Sequence, residues 1–141
     1  MKRAVIVYRS RTGRTRGLAE EIGAFLATRD IDPQVVSIGE CDLQALRDVD
    51  YLLLGCWTSG LMIMRQRPDQ PWVDFARAIP AISVPRVGLF TTYKLAIGGM
   101  FAQMHRHLAG RVPAAALELK SRTGRLSESD RRALERFIAG T

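Results

Sequence analysis

The sequence predicts an α/β fold in which a five-stranded parallel sheet carries helices on both faces. Three observations predict it. Short runs of Val, Ile and Leu alternate along the chain with segments of helical apolar spacing. The runs are apolar at successive positions, the mark of strands buried on both faces. The composition is globular, with 47% hydrophobic and 25% charged residues. A length of 141 residues suits one domain spanning 1–141. At that size a folded chain buries about 68% of its unfolded surface, enough for a core without staples.

Residues 2–8 (KRAVIVY) read as a buried first strand. Leu18, Ile22, Phe25 and Leu26 give residues 14–28 a helical apolar face. Asp32-Pro33 ends that helix and opens a second strand at 34–38. A short polar segment with Leu43 and Leu46 turned inward is a weak element. Residues 50–56 (DYLLLGC) are a central third strand, and 57–68 a long loop. Pro71 suits the start of a helix whose inner stripe is Trp72, Phe75, Ala76 and Ile79. Residues 84–91 form a fourth strand, followed by a loop over 92–98. Met100, Met104 and Leu108 mark a helix ending near Gly110. Residues 112–119 read as the fifth strand. Ser127 and Asp130 resemble a capping box before a last helix with Leu134, Phe137 and Ile138 inside.

Right-handed crossovers bring all the strand C-termini to one edge, where open α/β sheets bind ligands. The loops after strands 1, 3 and 4 are therefore the candidate site. The first, Arg9–Thr15, joins a strand to a helix N-terminus and holds three hydroxyls and Gly13. Unpaired helix N–H groups and the helix dipole make such a junction an anion site. An ordinary Ser/Thr-rich capping turn has the same composition. The loop is neither a Walker loop nor a dinucleotide fingerprint, because it lacks Gly-Lys-Ser/Thr and Gly-x-Gly-x-x-Gly.

Ile6-Val7-Tyr8-Arg9-Ser10-Arg11-Thr12-Gly13-Arg14-Thr15, followed by Ala19 and Ile22, resembles the FMN-phosphate signature of flavodoxins. Leu52–Thr58 is similar to the third-strand edge of that family. The resemblance covers nearly the whole chain and matches the short-chain form. It implies a flavodoxin-like three-layer sandwich with strand order 2-1-3-4-5 and a non-covalent FMN at the C-terminal edge. Ser10, Thr12 and Thr15 would then donate hydroxyls to the phosphate. Arg11, Gly13 and Arg14 would offer backbone N–H groups. Trp57, Thr58 and Ser59 would lie against the ring or ribityl chain, with Thr91, Thr92 and Tyr93 as the other wall. Gly98 would let backbone N–H groups reach a flavin edge.

Bland readings stand beside these. Trp57 also suits a core cap packed on Met62. Gly98-Gly99 suits a plain turn. Leu61–Met64 is an apolar patch fit to roof a ligand, dock a partner or tuck under a helix. Cys56 reads as a small buried residue, and Cys41 as one without a role. Two cysteines form no disulfide framework or metal-ligand spacing. His105 and His107, two apart on a helix, cannot share one metal. No metal site is expected.

Charge is where the chain departs from the family, whose members are acidic around the flavin. Lys and Arg number 21 against 14 Asp and Glu, a net of +7. Arg9, Arg11, Arg14 and Arg16 crowd the first loop, and Arg65, Arg67 and Lys94 the other two. Asp69 is the only acid nearby. Positive surroundings stabilise a reduced, anionic flavin, so they predict a higher potential and favour two-electron chemistry.

Three functions fit. One is an FMN electron carrier serving a redox partner protein or small-molecule acceptor that is acidic or anionic. A second is an FMN oxidoreductase using NAD(P)H with quinones, or one of protoporphyrinogen type, with Arg65 and Arg67 as anion ligands. A third is a flavin-free basic binding module. Scattered Arg without a recognised motif argues against nucleic acid. No apolar run approaches a membrane span. The short run at 4–8 is no signal peptide, and free cysteines suit a reducing cytoplasm.

Overall fold

A computed structural model describes every residue except Met62, Ile63 and Thr141; of Leu61 and Met64 it describes the backbone alone. The elements run β1 (Lys2–Arg9), α1 (Arg14–Ala27), β2 (Ile31–Ser37), a 3-10 turn (Leu43–Asp48), β3 (Tyr51–Trp57), β4 (Ser59–Leu61), β5 (Met64–Arg67), α2 (Gln70–Ala78), β6 (Arg86–Thr92), α3 (Met100–Leu108), β7 (Leu117–Ser121) and α4 (Glu128–Ala139). The main sheet is ordered β2-β1-β3-β6-β7. Every pairing in it is parallel. Counting its five strands alone, this is the expected order 2-1-3-4-5.

Strand periodicity divides the core in two. Val5, Val7, Leu52, Leu54, Val87 and Leu89 face one cluster with Trp72, Phe75, Ala76, Met100 and Met104 from α2 and α3. Ala4, Ile6, Tyr51, Leu53, Phe90, Leu117 and Leu119 face the other with Leu18, Ile22, Leu26, Leu134 and Phe137 from α1 and α4. Neighbouring residues of one strand therefore feed opposite layers, which is why the strands read as unbroken apolar runs. Gly55 has no Cβ because the Phe90 ring lies across its face.

Local chemistry sets the helix ends. Asp69 caps α2 through Trp72 N–H. Ser127 and Asp130 form the expected capping box of α4. No helix among the described residues is long and apolar enough to cross a membrane.

Three expectations change. The loop over 57–68 contains an antiparallel hairpin, β4–β5, with an irregular register between Ser59 and Leu61. The Leu61–Met64 patch, expected to roof a ligand, dock a partner or tuck under a helix, lies outside the residues whose side chains are described. The fifth strand begins at Leu117. Residues 112–116 contain Pro113 and three alanines, poor strand formers, and Val112 and Ala115 pack on the core from a loop. The second strand begins earlier, at Ile31, and accommodates Pro33 because it lies at the sheet edge.

Candidate functional site

The sheet register aligns the last residues of three strands. Trp57 pairs with Thr92, and Thr92 with Ser121. Beyond this row, against the N-terminus of α1, opens a cavity of about 570 Å³. Cofactor pockets commonly measure roughly 300–1,000 Å³. Of the residues expected there, Arg11, Thr12, Arg14, Trp57, Thr58, Ser59, Thr92 and Tyr93 line it. Ser10, Gly13, Thr15, Thr91 and Gly98 are not among its lining residues.

The floor comes from α1. Its N-cap is Gly13, left-handed at φ 99°, with no side-chain cap and no acid in the first turn. A helix start normally takes an Asp, Ser or Thr cap. Here the first N–H groups are left for something else, and the dipole there favours an anion. Ser10 Oγ accepts from Gly13 N–H at 3.0 Å, so its own proton is free to point outward. Thr12 is exposed at the lining.

A chain of threonine hydroxyls ties the strand ends together. Thr91 Oγ1 donates to the Cys56 carbonyl at 2.7 Å. That spends its one proton, so Thr58 must be the donor in the 2.7 Å pair Thr58–Thr91. Thr15 is buried, and its hydroxyl pairs with Thr92 at 2.7 Å. Thr15 and Thr92 therefore fasten α1 to β6.

Two aromatic side chains, both half-buried, are the walls. Trp57 carries the Arg11 guanidinium over its ring, 5.1 Å from the centroid. Tyr93 carries Arg122 at 5.5 Å. Behind Trp57 stands Asp69. Its Oδ2 accepts from Trp57 Nε1 at 2.7 Å and from Arg9 Nε at 2.7 Å. Cys56 Sγ lies 3.6 Å from Oδ1. Burial pushes the Cys56 thiol well above its ordinary range, so the sulfur stays a neutral thiol. The Asp69 carboxylate behind Trp57 is thus paired with Arg9.

Gly60, Gln66, Leu95 and Ala96 also line the cavity and were not expected. Gln66 arrives through the β4–β5 hairpin and is buried. Gly98, at φ 48°, lies against its side chain. Nothing in the local sequence marks Gln66, since its position depends on that hairpin. Lys94 enters the lining as a charge at the mouth. Arg65 and Arg67 are exposed on β5 and stay outside it.

The donor set fits FMN. An uncapped helix start offers N–H groups to a phosphate, and two aromatic walls bound a space for a flat ring system.

A family model described as flavodoxin matches residues 6–127. The curated flavodoxins of Clostridium beijerinckii and Megasphaera elsdenii are 28% and 31% identical to the chain over 88 residues each. The aligned region is 62% of this chain and only 62% and 63% of those proteins. The solution structure of two-electron reduced Megasphaera elsdenii flavodoxin aligns with a TM-score of 0.74, covering 98% of this chain and 99% of that one at 21% identity. A Fusobacterium nucleatum flavodoxin mutant bound to flavin mononucleotide gives 0.56 at 20% identity, covering 80% of this chain and 68% of that one.

Proposed function

Because the chain belongs to the flavodoxin family, we propose that it is an FMN-binding electron carrier serving a redox partner. The observation that carries this reading is the uncapped N-terminus of α1 facing a cavity walled by Trp57 and Tyr93. Bound FMN supplies reversible uptake of one or two electrons. The protein's own contribution is binding, orientation and electrostatics.

Ser10, Thr12 and the first N–H groups of α1 take the phosphate. Trp57 and Tyr93 hold the ring plane. Thr58 and Ser59 lie against the ribityl chain or ring edge. Thr15 and Thr91 position the neighbouring threonines and touch the ligand less directly. Gly98 acts by letting Gln66 approach the cavity.

Surrounding charge sets the potential. Arg11, Arg14 and Lys94 line the cavity, and Asp69 is paired with Arg9. Each cation about 4 Å from a reduced anionic ring stabilises it by about 1 kcal/mol in water, less in salt. The flavin therefore has a higher potential than in an acid-lined site. The same charge selects an acidic or anionic partner, and suits NADPH, itself an anion, as a donor. Two free cysteines suit a reducing cytoplasm.

The test is reconstitution with FMN followed by reduction. A flavin absorption band shared with the protein through gel filtration supports the reading. Bleaching by NADPH only when a reductase is added identifies a carrier; no retained flavin overturns the proposal.

A further inference from the structure

We propose that the mouth of the cavity, centred on Leu95 and collared by Arg14, Lys94 and Arg122, is the docking surface for an acidic redox protein. The proposal rests on the flavin reading of the cavity and names the face through which its electrons leave.

Leu95 is 55% exposed. Apart from Met1, it is the only large hydrophobic side chain exposed among the described residues. A lone surface leucine is ordinary; its setting is what distinguishes this one. It lines the mouth of the cavity and sits among cations from three separate segments. Lys94 is its neighbour in the loop after β6. Arg122, in the turn after β7, stacks on Tyr93 and reaches the Leu95 carbonyl at 3.5 Å. Arg14, in the first turn of α1, donates to the Arg122 carbonyl at 3.3 Å. The collar is therefore built by the fold and is not a charge run in the sequence.

None of these cations is compensated. The ion pairs among the described residues involve Arg9, Arg16, Arg29 and His105. Arg11, Arg14, Lys94 and Arg122 take part in none. The turn that carries Arg122 is also braced, since Ser121 Oγ accepts from Gly124 N–H at 3.0 Å and Arg125 N–H at 3.2 Å. An exposed apolar side chain flanked by charges follows the apolar-and-polar pattern of a protein interface. Complementary charge speeds encounter and fixes orientation. A nucleic acid would call for a basic stripe along an element; these cations instead gather from three segments around one exposed leucine beside the cavity, which suits an acidic protein surface.

Two measurements test this. In the first, flavin-loaded protein is reduced with dithionite and oxidised by hexacyanoferrate(III) or hexaammineruthenium(III), each ion taking one electron and falling from the trivalent to the divalent metal. Oxidation by the anion should slow about tenfold between low and high ionic strength, and oxidation by the cation should quicken. Lys94→Glu/Arg122→Glu, with flavin content checked by absorbance, should reverse both trends. Salt-independent rates, or a variant that behaves like the parent, overturn the proposal. In the second, flavin-free protein is titrated with poly-L-glutamate and followed by amide NMR. Shifts should gather at residues 93–96 and 121–123. Shifts centred on Arg131 and Arg132, or tighter binding of a single-stranded oligonucleotide at the collar, overturn it. Failure to bind FMN with shifts still at the collar would refute the flavin reading alone.

Discussion

The indole Nε1 of Trp57 donates to Asp69 at 2.7 Å across a sequence separation of 12 residues. The same carboxylate pairs with Arg9 and caps α2, and its side chain is only 11% exposed. One residue thus fixes the ring plane of a cavity wall, anchors a helix and cancels a cation. Asp69→Ala should destabilise the fold by about 2–3 kcal/mol, combining a lost cap with a partly buried Arg left unpaired. Asp69→Asn keeps an acceptor for the indole and should cost less, while raising the flavin potential because Arg9 is no longer balanced. Urea denaturation and potentiometry read the two effects separately.

Gly98 is the second lever on the cavity. Its φ is 48°, and a Cβ there would lie 2.7 Å from Gln66 Oε1. Gly98→Ala should therefore cost about 1–2 kcal/mol in backbone strain and displacement of Gln66. FMN affinity should fall with it. Thermal unfolding and a flavin titration check this; a variant as stable and as tight as the parent would show that the loop adapts freely.

His107 should titrate below its ordinary value of 6.5, held down by desolvation and by Arg77 and Arg106. Arg77 Nε donates to His107 Nδ1 at 3.2 Å, so the neutral ring is the bonded form. A lowered folded-state pKa means that stability is present above the unfolded value and is lost as pH falls through the folded one. Arg77→Gln should raise the His107 pKa in an NMR titration without restoring it fully, because desolvation remains.

Cys56 should resist alkylation at neutral pH and react only on unfolding, since its thiol is held neutral by burial. Cys41, pushed up to about 11 by burial and then by Asp42, should react slowly. Raised thiol values carry the opposite sign to His107. Their contribution is complete below the unfolded value of 9.0 and is lost as pH rises beyond it. Urea midpoints measured on either side of that value, with Cys56→Ala for comparison, read this loss.

Most of the fold is legible because parallel strands buried on both faces read as continuous apolar runs, and the helices between them carry clear inner stripes. Ser127, Asp130 and Pro71 mark helix starts by local chemistry that the sequence displays. What stays hidden depends on distant partners. The β4–β5 hairpin is built from polar and apolar residues with no strand signature, so it passes for a loop. Gln66 reaches the cavity only through that hairpin. Asp69 is visible as a charge, but its grip on Trp57 and Arg9 spans 12 and 60 residues. Residues 112–116 look like a strand because apolar content alone does not separate a packed loop from a ladder. The Arg9–Thr15 loop, by contrast, lies within one strand–helix junction, where residue order and geometry coincide.

In the proposed carrier the uncapped start of α1 and the Trp57–Tyr93 walls together hold FMN. The most direct measurement titrates flavin-free protein with FMN and with riboflavin, following flavin fluorescence. One FMN per chain should bind with strong quenching by the aromatic walls, and riboflavin, lacking the phosphate, should bind at least about tenfold more weakly. Unquenched fluorescence, or equal affinity for the two flavins, would contradict the claim.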